Sequence, residues 1–299
     1  MRGGFEARGL RGFDLAQPGR VFRLKEKNMK FIHITDTHIV PPDKKLLGLD
    51  PRARLDACIA DVNANHADAE FCVITGDLAQ AGQAEAYENL KESLSALCLP
   101  YHLLIGNHDN RQTFRDIFPD TLCDDNGFIQ SVLDTPAGPF IFLDTVFETP
   151  RKGSHWGEFC DRRADWLKAR LDECGESPVY AFMHHPPFDI HLPAMDNIKL
   201  REAQALNAVV DGSNSIRHMF FGHVHRPISG NWRGIPFSML PGTNHQVAFD
   251  FDTITPVPKS HEPPGYGVVF LNPDSVIVHV HDYLDTTALP LPADAAKVA

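Results

Sequence analysis

Apolar residues in this chain come in short runs, and five of those runs end in a cluster of polar side chains. Phe31-Ile32-His33-Ile34, Phe71-Cys72-Val73-Ile74, His102-Leu103-Leu104-Ile105, Tyr180-Ala181-Phe182-Met183 and His218-Met219-Phe220-Phe221 each read as a buried strand. They lead into Asp36-Thr37-His38, Gly76-Asp77, Gly106-Asn107-His108-Asp109, His184-His185 and Gly222-His223-Val224-His225. A parallel sheet would deliver all five clusters to one rim, because ligand sites in open α/β sheets gather at the carboxyl ends of the strands.

Between these runs the apolar period lengthens to that of a helix. Arg52 to Asn65 follows Pro51, a favourable first helical residue, and carries Leu55, Cys58, Ile59 and Val62 on one stripe. Further helices are predicted over Ala84 to Leu97, about Asp161 to Leu171 and about Ile198 to Val210. From Lys30 to about Arg226 strands and helices alternate, as in a doubly wound layer. Phe128 to Leu133 and Phe140 to Leu143, joined by Pro136-Ala137-Gly138-Pro139, read as a hairpin. After Arg226 strands are expected over Ile228 to Trp232, Pro236 to Met239, Gln246 to Phe251, Gly267 to Leu271 and Ser275 to Val280. This second set is expected to complete a second sheet packed on the first. The fold class is therefore α/β, a four-layer αββα sandwich of two mixed sheets flanked by helices. Residues 29–284 make the domain, residues 285–299 an irregular tail, and residues 1–28 a loose, disordered extension.

Composition narrows the classes of function. No segment approaches the roughly 18 consecutive apolar residues of a membrane span, and residues 1–28 lack the apolar core of a signal peptide. Six cysteines show no Cys-x-x-Cys pair and read as reduced thiols, so a cytoplasmic location is expected. A net charge of -11 opposes binding of long nucleic acid, which rests on basic residues neutralising phosphates. A small anionic substrate stays compatible, because bound metal ions would dominate the local field. The oligomeric state is left open, a homo-oligomer included.

The five clusters carry the chemistry. Two cations about 3.5–4 Å apart need a shared carboxylate and enough neutral donors to leave the site positive for a phosphate. Asp36 and His38 alternate on an extended segment, Asp77 is the natural bridge, Asn107 offers a neutral oxygen, and His184, His223 and His225 offer imidazoles. Without thiolates, this set suits two divalent or trivalent ions among Fe, Mn, Co and Zn. His184 is preferred to His185 as a ligand because it directly follows the strand. His33, alternating with Ile32 and Ile34, reads as a buried core histidine.

In order and spacing these motifs resemble the calcineurin-like metallophosphoesterase superfamily. Met183 to Pro187, Gly222 to Arg226 and Glu262-Pro263-Pro264-Gly265-Tyr266 are similar to the class III cyclic nucleotide phosphodiesterases and their glycerophosphodiesterase relatives. Gln80 stands where purple acid phosphatases carry tyrosine, Asp109 where phosphoprotein phosphatases carry glutamate, and His108 where lipid A precursor hydrolases carry arginine. The resemblance implies that Asp36, His38 and His225 hold a first metal, Asn107, His184 and His223 a second, and that Asp77 bridges them. It further implies hydrolysis of a small phosphodiester, a cyclic nucleotide or glycerophosphodiester, by attack of a metal-bound hydroxide. His108 would then act as a catalytic residue, steadying the phosphoryl oxygens or protonating the leaving alkoxide, and Asp109 would orient His108 or a ligand. His185, His191 and His245 are expected to contact substrate, the last two from overhanging loops. The rival readings are a metal-dependent nuclease or phosphomonoesterase of the same superfamily and, from another class, a non-catalytic scaffold.

Overall fold

The computed structural model describes residues 28–149, 151 and 153–285. Apart from Asn28 and Asp285, the expected extension and tail lie outside the described residues. Two mixed sheets face each other. The first contains β1 (Met29–Ile34), β2 (Cys72–Thr75) and β3 (Tyr101–Leu104), with β12 (Tyr266–Leu271) and β13 (Val276–His281), in the order β13-β12-β1-β2-β3. The second contains β4 (Ser131–Leu133), β5 (Phe140–Leu143), β6 (Val179–Met183), β7 (Ile216–Phe221), β8 (Ile228–Trp232) and β9 (Ile235–Met239), in the order β4-β5-β6-β7-β9-β8. β1, β2 and β3 are mutually parallel, as are β5, β6, β7 and β9.

Helices cover the outer faces. α1 (Pro51–Asn65) is capped by the Asp50 carboxylate, which accepts from the Ala53 N–H at 3.1 Å, and it buries the expected Leu55, Cys58, Ile59 and Val62 stripe. With α2 (Ala84–Leu94) it closes the core over β1 to β3. α4 (Asp161–Cys174) and α6 (Gln204–Asp211) bury Leu167, Leu171, Leu206 and Val210 against the far face of the second sheet. Between the sheets lies an aromatic layer. The Phe31 ring centroid is 5.2 Å from Phe140, 5.9 Å from Phe182 and 5.5 Å from Phe220, which joins β1 to three strands of the opposite sheet.

Four expectations are corrected. The five clusters do not share one sheet: three end strands of the first sheet and two end strands of the second. The late strands divide as well, since β8 and β9 extend the second sheet while β12 and β13 pair back onto β1. The predicted strand over residues 246–251 is only β10 (Gln246–Val247), paired with β11 (Lys259–Ser260). Beyond it the Asp250 carboxylate accepts from the Asp252 and Thr253 N–H groups and turns the chain. The helix predicted from Ile198 begins at Gln204, because Leu200 N–H is bound to the Pro186 carbonyl and Glu202 takes a left-handed conformation. Between β3 and β4 the sequence pattern missed α3 (Arg111–Ile117), capped by Asn110, since one buried residue, Phe114, gives no period. Among the described residues, no helix is long and apolar enough to cross a membrane.

The aromatic layer sets a stability expectation. Phe31→Ala removes a fully buried ring held between four others and is expected to cost about 3–5 kcal/mol, read as a lowered urea midpoint. The exposed Phe251→Ala is expected to stay within about 0.5 kcal/mol.

Candidate metal centre

Each polar cluster begins where its strand stops, and the backbone there turns sharply. Asp36, His38, Asp77, His223 and His225 all have positive φ, between 46° and 72°, a region that non-glycine residues seldom enter. Such conformations persist only where the surroundings hold them. Here Asp36 N–H binds the Gly76 carbonyl at 3.1 Å, His38 N–H the Asp77 carbonyl at 2.8 Å, and Gly222 N–H the His184 carbonyl at 3.2 Å. Gly106 is required by close approach: a Cβ there would strike the Asp77 carboxylate, the Asp77 N–H and the His184 ring.

The histidines converge in a common orientation. His184 Nδ1 donates to the Thr75 carbonyl at 2.8 Å, His225 Nδ1 to the His245 carbonyl at 2.7 Å, His108 Nδ1 to the Gln80 carbonyl at 2.7 Å, and His38 Nδ1 to Gln80 Oε1 at 2.8 Å. An oxygen that can only accept fixes a proton on Nδ1 and turns each Nε2 toward the centre. This tie-back is the arrangement found behind metal-ligating histidines. Its consequence is visible between His38 and His225, whose Nε2 atoms stand 3.0 Å apart. Two lone pairs at that distance need a cation between them. Nε2 of His184 and of His223 are buried without a hydrogen-bond partner, which is costly unless something binds them.

Asp77 lies between two donor groups. Its Oδ2 is 3.6 Å from His38 Nε2, and its Oδ1 is 3.4 Å from His184 Nε2. On one side Asp36, His38, Asp77 and His225 bring their ligand atoms within 4.8 Å of one another, and on the other His184, His185 and His223 do the same. Burial keeps His38 and His223 well below the usual imidazole range and hence neutral. Burial also pulls on His184, but the facing Asp77 carboxylate raises it to about 9. Imidazoles and carboxylates without thiolate form a donor set that fits a borderline divalent ion, whose charge would replace the extra proton that Asp77 draws onto His184.

The remaining candidates fall in different places. His108 sits beside Asp77, its Nε2 4.0 Å from Oδ2. Asp109 does not reach the His108 ring. It accepts from the Leu78, Ala79 and Gly106 N–H groups and from the Tyr87 hydroxyl, at 2.8–3.0 Å, and so braces the two loops from behind. His185 accepts from the Thr145 hydroxyl at Nδ1, and its Nε2 donates to Asn107 Oδ1 at 3.1 Å and to the His155 carbonyl at 3.2 Å. That nitrogen is turned to Asn107 and His155, whereas His184 Nε2 faces Asp77. His245 does not overhang the centre as expected. It is buried with its ring 5.0 Å from His38 and 4.8 Å from His225, and burial lowers it to about 2. His191 is exposed on the loop after β6, outside the donor groups.

Two residues escaped the sequence reading. Gln80 holds His38 with its side chain and His108 with its backbone. His155 meets Asn107 Nδ2 through Nδ1 at 3.1 Å and stands 5.0 Å from the His108 ring. Only the His155 imidazole gave a signal in sequence, and it follows no strand. From Asn107 and His108 a cleft of about 790 Å3 runs outward between Gln80, Phe147, His155 and Trp156.

The calcineurin-like phosphoesterase family matches residues 29–227. A probable cyclic nucleotide phosphodiesterase of Rhodopseudomonas palustris is 42% identical over 252 residues, covering 84% of this chain and 91% of that protein. The glycerophosphodiester phosphodiesterase GpdQ of Enterobacter lignolyticus is 30% identical, covering 76% of this chain and 82% of that protein. In overall fold the chain is similar to a dimetal phosphatase from Danio rerio, with a TM-score of 0.66 at 14% identity over 86% of this chain and 97% of that one.

The tie-backs make Gln80 a test of the centre. Gln80→Leu removes the acceptor behind His38 and is expected to weaken metal binding about 10–100-fold, measured by competition with a chelator, while the His108 contact to the backbone carbonyl remains.

Proposed function

We propose, from the premise that this chain belongs to the calcineurin-like phosphoesterase family, that it is a two-metal phosphodiesterase of the cytoplasm acting on a cyclic nucleotide. One observation carries this reading: Asp77 turns one oxygen to each of two buried donor groups, Oδ2 to Nε2 of His38 and Oδ1 to Nε2 of His184. Asp36, His38 and His225 would hold one ion, Asn107, His184 and His223 the other, and Asp77 both. Ions bound there supply a Lewis acid that stabilises charge on phosphoryl oxygens and makes water a nucleophile near neutral pH.

The protein's own groups do the rest. His108, with Nδ1–H bound to the Gln80 carbonyl, directs Nε2 at the centre; as the imidazolium, protonated at both nitrogens, it can hand its Nε2 proton to the leaving alkoxide and end as the neutral ring. The leaving group then departs on the side of the cleft that starts at His108, and its 790 Å3 suits a nucleoside better than glycerol. The 42% identical relative, named as a probable cyclic nucleotide phosphodiesterase, supports the same choice. Six unpaired cysteines support a reducing compartment, and a net charge of -11 disfavours a nucleic-acid polymer.

Metal removal tests the reading directly. Protein stripped by chelation is expected to lose hydrolysis of 3′,5′-cyclic AMP and of bis(p-nitrophenyl) phosphate, and to regain both with Mn or Co at about two ions per chain. No recovery with any divalent metal sinks the two-metal assignment, and turnover of a glycerophosphodiester well above that of the cyclic nucleotide moves the substrate to that class. A second experiment isolates His108. His108→Ala is expected to lower turnover of the cyclic nucleotide about 10²–10⁴-fold but that of the p-nitrophenyl diester far less, because p-nitrophenolate leaves without a proton.

A further inference from the structure

One imidazole at the root of the cleft has a nitrogen that the metal centre leaves unused. The segment between β5 and α4 brings His155 beside Asn107 and is closely held there. Gly157 N–H binds the Lys199 carbonyl at 3.2 Å, Arg201 N–H binds the Gly157 carbonyl at 3.0 Å, and Glu158 N–H binds the Thr145 carbonyl at 2.9 Å. The Arg201 guanidinium lies 3.8 Å over the Trp156 ring, and Gly157 runs so close to His185 that a Cβ would meet the imidazole at 2.7 Å. These contacts fix the backbone next to His155, while the residue itself remains exposed.

Hydrogen bonds around that ring determine where its proton sits. The His155 carbonyl can only accept, so His185 Nε2, 3.2 Å away, is a donor. The Asn107 atom 3.1 Å from the same nitrogen is therefore the amide oxygen, which leaves the amide nitrogen to face His155 Nδ1 at 3.1 Å. An amide nitrogen donates, so His155 Nδ1 accepts and the ring keeps its proton on Nε2. The two nitrogens of an imidazole point apart across Cε1, and Nε2–H is thus directed away from Asn107. Among the described residues, nothing accepts from it. His155 and His108 both line the cleft of about 790 Å3, with their rings 5.0 Å apart and inclined by 34°. An unpaired donor therefore stands in the wall of the cleft, beside the group assigned to protonate the departing oxygen.

We propose that His155 Nε2–H donates to a hydroxyl on the carbon next to the departing oxygen, in a 3′,5′-cyclic nucleotide the ribose 2′-hydroxyl, and so makes the site prefer ribose to deoxyribose. The proposal rests on the phosphodiesterase reading and deepens it, because it says which ester bond breaks. The carbon beside the 5′ oxygen's own carbon bears no hydroxyl, whereas the carbon beside the 3′ oxygen's own carbon does. The water oxygen bonds to phosphorus, the bond from phosphorus to the 3′ oxygen breaks, that oxygen takes the His108 proton, and the proton that water loses restores His108. The product is a 5′-nucleotide, whose free 3′- and 2′-hydroxyls face His108 and His155.

The test compares 3′,5′-cyclic AMP with its 2′-deoxy analogue in the full, metal-loaded chain. His155→Asn ends at the position of Nδ1, so it still accepts from Asn107 but no longer reaches into the cleft, whereas His155→Gln returns an amide N–H to the position of Nε2. The wild type is expected to favour the ribonucleotide about three- to tenfold in kcat/KM, His155→Asn to bring that ratio close to one, and His155→Gln to keep most of it. Turnover of bis(p-nitrophenyl) phosphate, which offers no hydroxyl, should be nearly unchanged, and bound metal should stay at the wild-type amount. A wild-type ratio near one overturns the proposal, as does a ribose preference that survives in His155→Asn. A loss in that variant shared equally by all three substrates, or accompanied by lost metal, overturns it too, since His155 would then act through Asn107 alone. Wild-type protein that hydrolyses none of the three refutes the underlying phosphodiesterase reading instead, so the two failures are distinguishable.

Discussion

Buried imidazoles can crowd around one carboxylate only if each is told which nitrogen carries its proton. Here the instruction comes from oxygens that lie behind the rings: the carbonyls of Thr75, Gln80 and His245 and the side-chain oxygen of Gln80. Each fixes Nδ1 as a donor, and the Nε2 atoms that remain all look inward. Without these acceptors the rings could exchange protons and satisfy one another, as His38 and His225 nearly do at 3.0 Å. The left-handed backbone at five of the polar residues follows from the same constraint. A side chain whose two ends are fixed, one to a carbonyl and one to the centre, leaves the main chain little choice of direction.

The two sheets matter because the donors are divided between them. Asp36, His38, Asp77 and Asn107 follow β1, β2 and β3, whereas His184, His223 and His225 follow β6 and β7. The centre therefore spans the seam, and its dimensions are set by how the sheets stack. That stacking is aromatic. Phe31, from the first sheet, sits against Phe140, Phe182 and Phe220 from the second, and Phe182 and Phe220 stack at 4.7 Å. A rigid layer of rings a few residues below the metal donors converts core packing into ligand geometry. Cores pack too densely for the seam to slide without breaking contacts.

Much of this arrangement was legible in the sequence because strand ends and candidate donors coincide. An apolar run followed by Asp, Asn or His is a local signal, and all five such places lie at the centre. What stayed hidden was relational. Nothing in Ile228 to Val280 says that β8 and β9 join one sheet while β12 and β13 join the other, since alternation fixes faces and not neighbours. Asp109 reads as an acid beside a catalytic histidine, yet its oxygens are consumed by backbone N–H groups and Tyr87. His245 reads as a loop residue because the short β10 gives too little pattern to show that the chain there runs beneath the centre. Gln80 was noticed only as a departure from a sibling family, because a backbone carbonyl behind a histidine leaves no trace in residue type.

Charge decides what such a centre can accept. Its carboxylates are Asp36 and Asp77, and its other candidate donors are imidazoles and an amide. Two divalent ions would exceed the carboxylate charge by a factor of two. The chain as a whole is acidic, at -11. The opposition is one of range: at physiological salt, fields between exposed charges fade over about 8 Å, so a molecule small enough to enter the cleft feels the centre, whereas a long polyanion must also lie along the acidic exterior. A single phosphodiester flanked by an uncharged group meets both conditions. A centre so loaded would favour a small anion through electrostatics as well as through the dimensions of the cleft.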